Sequence, residues 1–140
     1  NVVAENQSFL KSMIHEHVDV LFGNEEEIMA LTEDTPEASA MEFQQDTEAV
    51  IIKMGAEGSV CYSGGEKVRI GVRPSRPVDT TGAGDLYASG FIYGQINGYS
   101  LETCGKMGAI LGGRIIEMEG AKMDESHWEN IRREILTLED

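Results

Sequence analysis

With 140 residues the chain falls in the size range of one domain, and 11 Lys+Arg against 25 Asp+Glu give it a formal charge of −14. That balance argues against a nucleic-acid or anionic-membrane surface, since both need clustered cations to displace counterions. A hydrophobic fraction of 41%, a charged fraction of 26% and two cysteines, Cys61 and Cys104, argue against a disordered tail, a disulfide scaffold and a cysteine-based zinc site.

Residues 8–17 space Phe9, Leu10, Met13 and Ile14 as a short amphipathic helix does. Residues 18–22 (Val-Asp-Val-Leu-Phe) read as a short buried strand, ended by Gly23-Asn24. Residues 25–31 predict a helical turn or two, and residues 36–45 a second weak helix with Pro36 in its first turn. Ala49-Val-Ile-Ile52 is a β-branched run and the best candidate for a central parallel strand. Residues 59–62 and 67–72 are strand-like and joined through Ser63-Gly-Gly-Glu66, a hairpin signal because tight hairpin turns need positive φ. After Pro74 and Pro77 comes Val78-Asp-Thr-Thr-Gly-Ala-Gly-Asp85, and from there to about Ile96 the chain reads as a helix rich in small residues.

A long apolar helix is predicted over residues 101–118, again with small residues, including Gly108 and Gly112. Residues 126–138 close the chain as a helix with Trp128, Ile131, Ile135 and Leu138 at helical spacing and Ser126 as N-cap. Helix–strand alternation, a hairpin and then consecutive helices predict an α/β layered domain with a largely parallel sheet. No apolar run approaches the roughly 20 residues of a membrane span, and no signal peptide is evident, so a reducing, cytoplasmic setting is expected. His15 and His17, near a helix C-terminus where the dipole favours them, are given no function, and the methionines read as core filler.

Charge is spread unevenly. Residues 12–52 hold 11 acidic residues and no Lys or Arg, whereas residues 53–76 hold five basic ones (Lys53, Lys67, Arg69, Arg73, Arg76) and two acidic ones. Either an acidic solvated face adjoins a mildly basic hairpin, or the basic stretch leads into a site for an anion. Charge alone leaves both open.

The segment that carries chemistry is Asp79-Thr-Thr-Gly-Ala-Gly-Asp85. Gly82, Ala83 and Gly84 at a helix start expose amides without intrahelical partners, and the helix dipole adds partial positive charge. Small side chains let an anion approach this backbone, as helix N-termini bind phosphate. The same spelling also suits a tight loop whose glycines permit close helix–sheet packing. Asp85, in the first turn, reads either as a carboxylate placed by capping and dipole or as a base that receives the proton of an attacking hydroxyl. Phosphoryl transfer has a loose transition state in which orientation outweighs basicity, so a weak base serves.

Residues 79–92 (DTTGAGDLYASGFI) resemble the C-terminal signature of the ribokinase-like (PfkB) carbohydrate and nucleoside kinases. Two further stretches agree in order and spacing. Phe22-Gly-Asn-Glu-Glu-Glu27 resembles the family's Asn-x-x-Glu motif, and Ile52-Lys-Met-Gly-Ala-Glu-Gly58 resembles its nucleotide loop, with Lys53 where Thr is usual. The similarity runs from about Val18 to about Ala121.

The resemblance implies a three-layer α/β/α fold with a mostly parallel sheet, of which this chain would be the C-terminal, nucleotide-binding and catalytic part. The N-terminal substrate and lid part would lie elsewhere, leaving a sheet edge to pair with it. By the same resemblance Asp85 would be the catalytic base, and the amides of Gly82, Ala83 and Gly84 the anion hole, each donor contributing about 3 kcal/mol to lowering the barrier. Asn24 and Glu27 would organise Mg²⁺ on the phosphates of ATP, largely through water. Asn-x-x-Glu is also a near-capping-box spelling, and the two roles are compatible.

Gly55 and Gly58 would let backbone approach the nucleotide, with Lys53 either touching phosphate or facing solvent. Gly108 and Gly112 would leave room for the adenine, although helix packing explains them equally well. Backbone oxygens near Asp79 and Thr81 would be the place for a monovalent cation such as K⁺. The activity implied is ATP-dependent phosphorylation of a hydroxymethyl group on a nucleoside, adenosine-type by the wording around Asp85, or on a sugar such as ribose or fructose. The alternative of another class is a non-catalytic nucleotide-binding module, which would have no need of the Asp85 carboxylate. The partner is then a small molecule rather than nucleic acid or membrane, with a homodimer as the quaternary option.

Overall fold

The computed structural model describes residues 2–72 and 74–138. Two compact units divide the chain, Asn1–Arg69 and Ile70–Asp140.

The first unit opens with two helices, α1 (Val2–Glu5) and α2 (Gln7–His17), then β1 (Val20–Asn24), α3 (Glu25–Thr32), α4 (Pro36–Phe43) and β2 (Ala49–Lys53). A 3₁₀ turn (Gly55–Glu57) leads to β3 (Ser59–Ser63) and β4 (Glu66–Ile70). The four strands form one sheet in the order β1-β2-β3-β4. β1 and β2 are parallel, which requires the α3–α4 crossover between them, and β2 and β3 are antiparallel. The expected central strand is β2: Val50 and Ile51 are 0% exposed, as a strand covered on both faces should be. The core of this unit gathers Ile14, Ile28, Leu31, Phe43, Val50, Ile52, Val60 and Tyr62.

Local signals account for most boundaries. Thr35 caps α4 by accepting from the Ala38 amide, with Pro36 in the first turn. Gly64 and Gly65 turn the hairpin at φ +54° and +85°, a conformation that L side chains rarely adopt. Several ends differ from the sequence expectation: α4 stops at Phe43 rather than Gln45, and β4 runs from Glu66 to Ile70 rather than from Lys67 to Val72. β1 starts at Val20 and ends at Asn24, two residues later than predicted, because its register with β2 pairs Val20 with Ala49 and Asn24 with Lys53. α1 was not predicted; four residues hold too short a pattern to show a helical period.

The second unit contains α5 (Ala83–Ile96), α6 (Leu101–Ile115) and α7 (Glu125–Leu136). α6 ends at Ile115, three residues before the predicted end, and the carbonyl of Ile116 accepts from the amides of Val78 (2.6 Å) and Asp79 (3.2 Å) instead of continuing the helix. Asp124, not Ser126, is the N-cap of α7; its carboxylate accepts from the His127 amide at 3.0 Å. Leu111, Ile115, Met123 and Ile131 form a core cluster. Arg114 of α6 bridges Glu117 (3.2 Å) and Glu134 of α7.

α5 packs on α6 through glycines. A Cβ on Gly90 would stand 2.6 Å from both the Met107 carbonyl oxygen and Leu111 Cδ1, and one on Gly94 2.9 Å from Cys104 Sγ. Small residues here set the approach of two helices. The methionines divide: Met107 and Met123 are buried, while Met13, Met29 and Met41 are exposed, contrary to their reading as core filler. No helix among the described residues is long and apolar enough to cross a membrane.

Candidate functional site

In the first unit the register of two strands brings sequence-distant candidates together. Asn24 and Lys53 are paired at the C-terminal ends of the parallel strands β1 and β2, the end at which open α/β sheets take their ligands. Asn24 is the N-cap of α3 in a complete capping box. Its Oδ1 accepts from the Glu27 amide (2.8 Å), and Glu27 Oε2 accepts from the Asn24 amide (2.9 Å). Both residues are exposed. The cap engages one carboxylate oxygen of Glu27, and among the described residues no group of three or more His, Cys, Asp or Glu side chains is arranged as a metal site. This donor set suits an ion that keeps most of its water, which is how Mg²⁺ binds.

Lys53 leads through Met54 into the 3₁₀ turn. The Met54 amide donates to the Gly58 carbonyl at 2.8 Å, closing a loop in which Gly55 has φ +54° and Gly58 φ +93°. Both glycines are therefore explained by backbone conformation, and space around the Gly55 Cβ position is open. Of the basic stretch, Lys67 is paired with Glu37 (2.5 Å) and Arg69 with Glu57 (3.0 Å). The bond to Glu37 holds the Lys67 ammonium above its ordinary pKa. Arg73 lies outside the described residues. His15 of α2 bonds the Asp46 carboxylate at 2.6 Å, a helix-to-loop tie that explains it without a further role.

In the second unit the segment of residues 79–85 forms the turn before α5. Asp79 organises it. One carboxylate oxygen accepts from the Thr81 amide (2.9 Å) and hydroxyl (2.6 Å), and the other from the Gly120 amide (3.0 Å). Those bonds, the Thr81 hydroxyl foremost, hold the Asp79 carboxyl below the usual aspartate range. Gly82 then adopts φ +79° as the residue before the first helical one. A Cβ there would stand 3.0 Å from the Ala121 methyl carbon.

The amides divide in a way the sequence did not indicate. That of Ala83 donates back to the Thr80 carbonyl at 3.2 Å, and that of Leu86 to Gly82 at 3.0 Å. The amides of Gly82, Gly84 and Asp85 have no acceptor among the described residues, so the cradle is open at these three positions and taken at Ala83. Asp85 is exposed and stands in the first turn of α5; its carboxylate accepts no hydrogen bond among the described residues. The turn is thus accessible, with a carboxylate next to unpartnered amides.

Gly108 and Gly112 of α6 face α5. A Cβ on Gly108 would meet the Tyr87 ring at 2.8 Å, and one on Gly112 the Ala83 carbonyl at 3.1 Å. Helix packing accounts for both, and Gly112 allows α6 to approach the cradle itself. Gly120 and Ala121 were missed by sequence reasoning. Gly120 reaches Asp79 from 41 residues away along the chain, Ala121 meets Gly82, and no local pattern encodes either pairing.

Comparison with known proteins identifies the fold and the family. The fold is that of the ribokinase-like kinases: the chain superposes on adenosine kinase from Sinorhizobium meliloti with a TM-score of 0.85 at 34% identity, covering 94% of this chain and 41% of that one. It also superposes on the nucleoside kinase of Methanocaldococcus jannaschii, an archaeal member of the ribokinase family, with a TM-score of 0.76 at 27% identity, covering 91% and 44%. An uncharacterized sugar kinase of Archaeoglobus fulgidus is 34% identical over 110 residues, 78% of this chain and 44% of that protein. Residues 3–128 match the pfkB family of carbohydrate kinases, and the chain belongs to that family. It spans between 41% and 44% of the length of these three relatives.

Proposed function

We propose that this chain is the C-terminal, nucleotide-binding and catalytic part of an ATP-dependent kinase that phosphorylates a hydroxymethyl group of a nucleoside or sugar in the cytoplasm. The observation that carries the reading is the exposed Asp85 carboxylate beside the unpartnered amides of Gly82, Gly84 and Asp85 at the start of α5. These amides and the helix dipole favour the negative charge that develops on the oxygens of a transferring phosphoryl group. Asp85 takes the proton from the acceptor hydroxyl and directs the incoming oxygen, a role in which position matters more than base strength.

In the first unit Asn24, Glu27 and Lys53 stand together at the ends of β1 and β2. The capping box holds the Asn24 and Glu27 side chains in fixed orientations, so that their remaining oxygens can bond the water shell of Mg²⁺, and Lys53 offers an ammonium to phosphate. When bound, Mg²⁺ would neutralise phosphate charge. The Gly55–Gly58 loop presents backbone to the nucleotide. The carbonyl oxygens of Asp79 and Thr81 accept no hydrogen bond among the described residues, a donor type suited to a monovalent cation such as K⁺.

For the acceptor, the similarity to an adenosine kinase and a nucleoside kinase supports a nucleoside, adenosine-type, and the similarity to sugar kinases supports the alternative of ribose or fructose. The test is a phosphotransfer assay on the full-length polypeptide that contains this chain, with MgATP and adenosine, ribose or fructose. Asp85→Asn is expected to lower kcat by at least a hundredfold with nucleotide affinity within about threefold. Equal loss of nucleotide binding and turnover would count against a base role. Turnover that survives the substitution would refute the base role of Asp85, whereas nucleotide binding without turnover in the unsubstituted protein would favour a non-catalytic nucleotide-binding module.

A further inference from the structure

The anion cradle does not stand on its own helix alone. Five contacts fix the turn of residues 78–83 to α6 and the loop that follows it. The amides of Val78 and Asp79 share the Ile116 carbonyl at 2.6 and 3.2 Å. The second oxygen of Asp79 accepts from the Gly120 amide at 3.0 Å. Ala121 crowds Gly82, and Gly112 admits the Ala83 carbonyl. Gly120 has φ +77° with open space at its Cβ position, so its glycine is required by the backbone conformation that aims the N–H at Asp79 rather than by crowding. Three residues before that loop, at the end of α6, Arg114 ties Glu117 to Glu134 of α7, which anchors the start of the loop.

We propose that the loop of residues 117–121 is a positioning clasp for the anion cradle, with Asp79 as its positioning residue: the Asp79 carboxylate joins Thr81 on one side to Gly120 on the other and so fixes where the amides of Gly82 and Gly84 point. The proposal rests on the kinase reading above. The chemistry requires this kind of support, because unpartnered amides stabilise a developing charge only if they are held in place before it develops, and a displacement near 1 Å costs about a hundredfold in rate. A turn with three free amides and a left-handed residue at its end is tied within itself by the Ala83–Thr80 and Leu86–Gly82 backbone bonds, and it needs support from outside to fix those amides. Asp79 uses both oxygens to supply that support, with three donors facing its carboxylate.

Asp79→Asn is the sharpest test. An amide side chain keeps one oxygen for Thr81 but turns an NH₂ towards the Gly120 N–H, donor against donor. Gly120→Val attacks the clasp from the other side, since a β-branched residue does not sustain φ +77°. In the full-length polypeptide both variants are expected to lower kcat ten- to a hundredfold, with KM for MgATP within about twofold, because the loss falls in the transition state. Amide hydrogen exchange should quicken at residues 80–86 while the rest of α5 and α6 keeps parent rates.

Unchanged kcat and exchange would overturn the clasp. So would faster exchange spread evenly over α5, α6 and α7 with kcat falling only as the folded fraction falls, since that marks a merely structural contact. If the unsubstituted protein phosphorylates no acceptor, the kinase reading fails, and the exchange comparison still decides whether the clasp holds the turn.

Discussion

Gly90→Ala places a methyl group where α5 and α6 already touch. Its carbon would stand 2.6 Å from the Met107 carbonyl oxygen, 2.6 Å from Leu111 Cδ1 and 2.8 Å from the Met107 carbonyl carbon. Ordinary contact begins near 3.4 Å, so the two helices must part by about 0.8 Å along that line. Leu111 can rotate, but the Met107 backbone is held inside α6. Overpacking of this kind costs about 1–3 kcal/mol, and the backbone clash puts Gly90 at the upper end. The substitution gains about 1 kcal/mol in helix propensity.

The balance is a loss of about 2 kcal/mol, which for a chain of this size lowers Tm by roughly 6–10 °C. Thermal unfolding followed by far-UV circular dichroism reads it. Gly71→Ala is the internal control: that position has nothing within 4 Å and should be neutral or stabilised by up to about 1 kcal/mol. A Gly90→Ala protein as stable as its parent would refute the reasoning that glycines, rather than side-chain interdigitation, set the α5–α6 distance.

Asp79 and Asp124 should make stability acid-sensitive. Both carboxyls lie below the usual aspartate range, Asp79 through Thr81 and Gly120, Asp124 through the Ser126 hydroxyl first and then His127. A folded-state pKa below the unfolded one means that the unfolded chain binds more protons. The contribution is therefore complete above the ordinary value near about 4 and is lost as pH falls through the folded values. Urea unfolding of parent, Asp79→Asn and Asp124→Asn between neutral pH and pH 2 should show the variants' deficit shrinking on acidification; a constant deficit would contradict it. Glu27→Gln preserves the capping-box geometry, so stability should stay within about 0.5 kcal/mol while the Mg²⁺ concentration for half-maximal turnover rises severalfold. Lost stability with unchanged Mg²⁺ dependence would assign Glu27 to the cap alone.

Much of this was written locally. The turn chemistry of Gly64-Gly65, the Asn24–Glu27 cap, the buried run of β2 and the small-residue helix after Asp85 are short-range signals, and each is decided by the φ, hydrogen bonds or burial of neighbouring residues. The signature around Asp85 pointed to phosphoryl chemistry because helix-start amides and a first-turn carboxylate lie within seven residues of sequence. Long-range geometry was not legible in this way.

Only the register of β1 on β2 sets Asn24 against Lys53, and a shift of one residue would have turned each side chain to the other face. Only the fold brings Gly120 to Asp79 and Ala121 against Gly82. Gly108 and Gly112, equally readable as room for an adenine or as helix contacts, face Tyr87 and Ala83 because α5 and α6 cross there. Composition and spacing determined which groups this protein has to offer an anion. Tertiary structure decided which of them remain available, since a hydrogen-bond donor is free or taken according to what the rest of the chain packs against it.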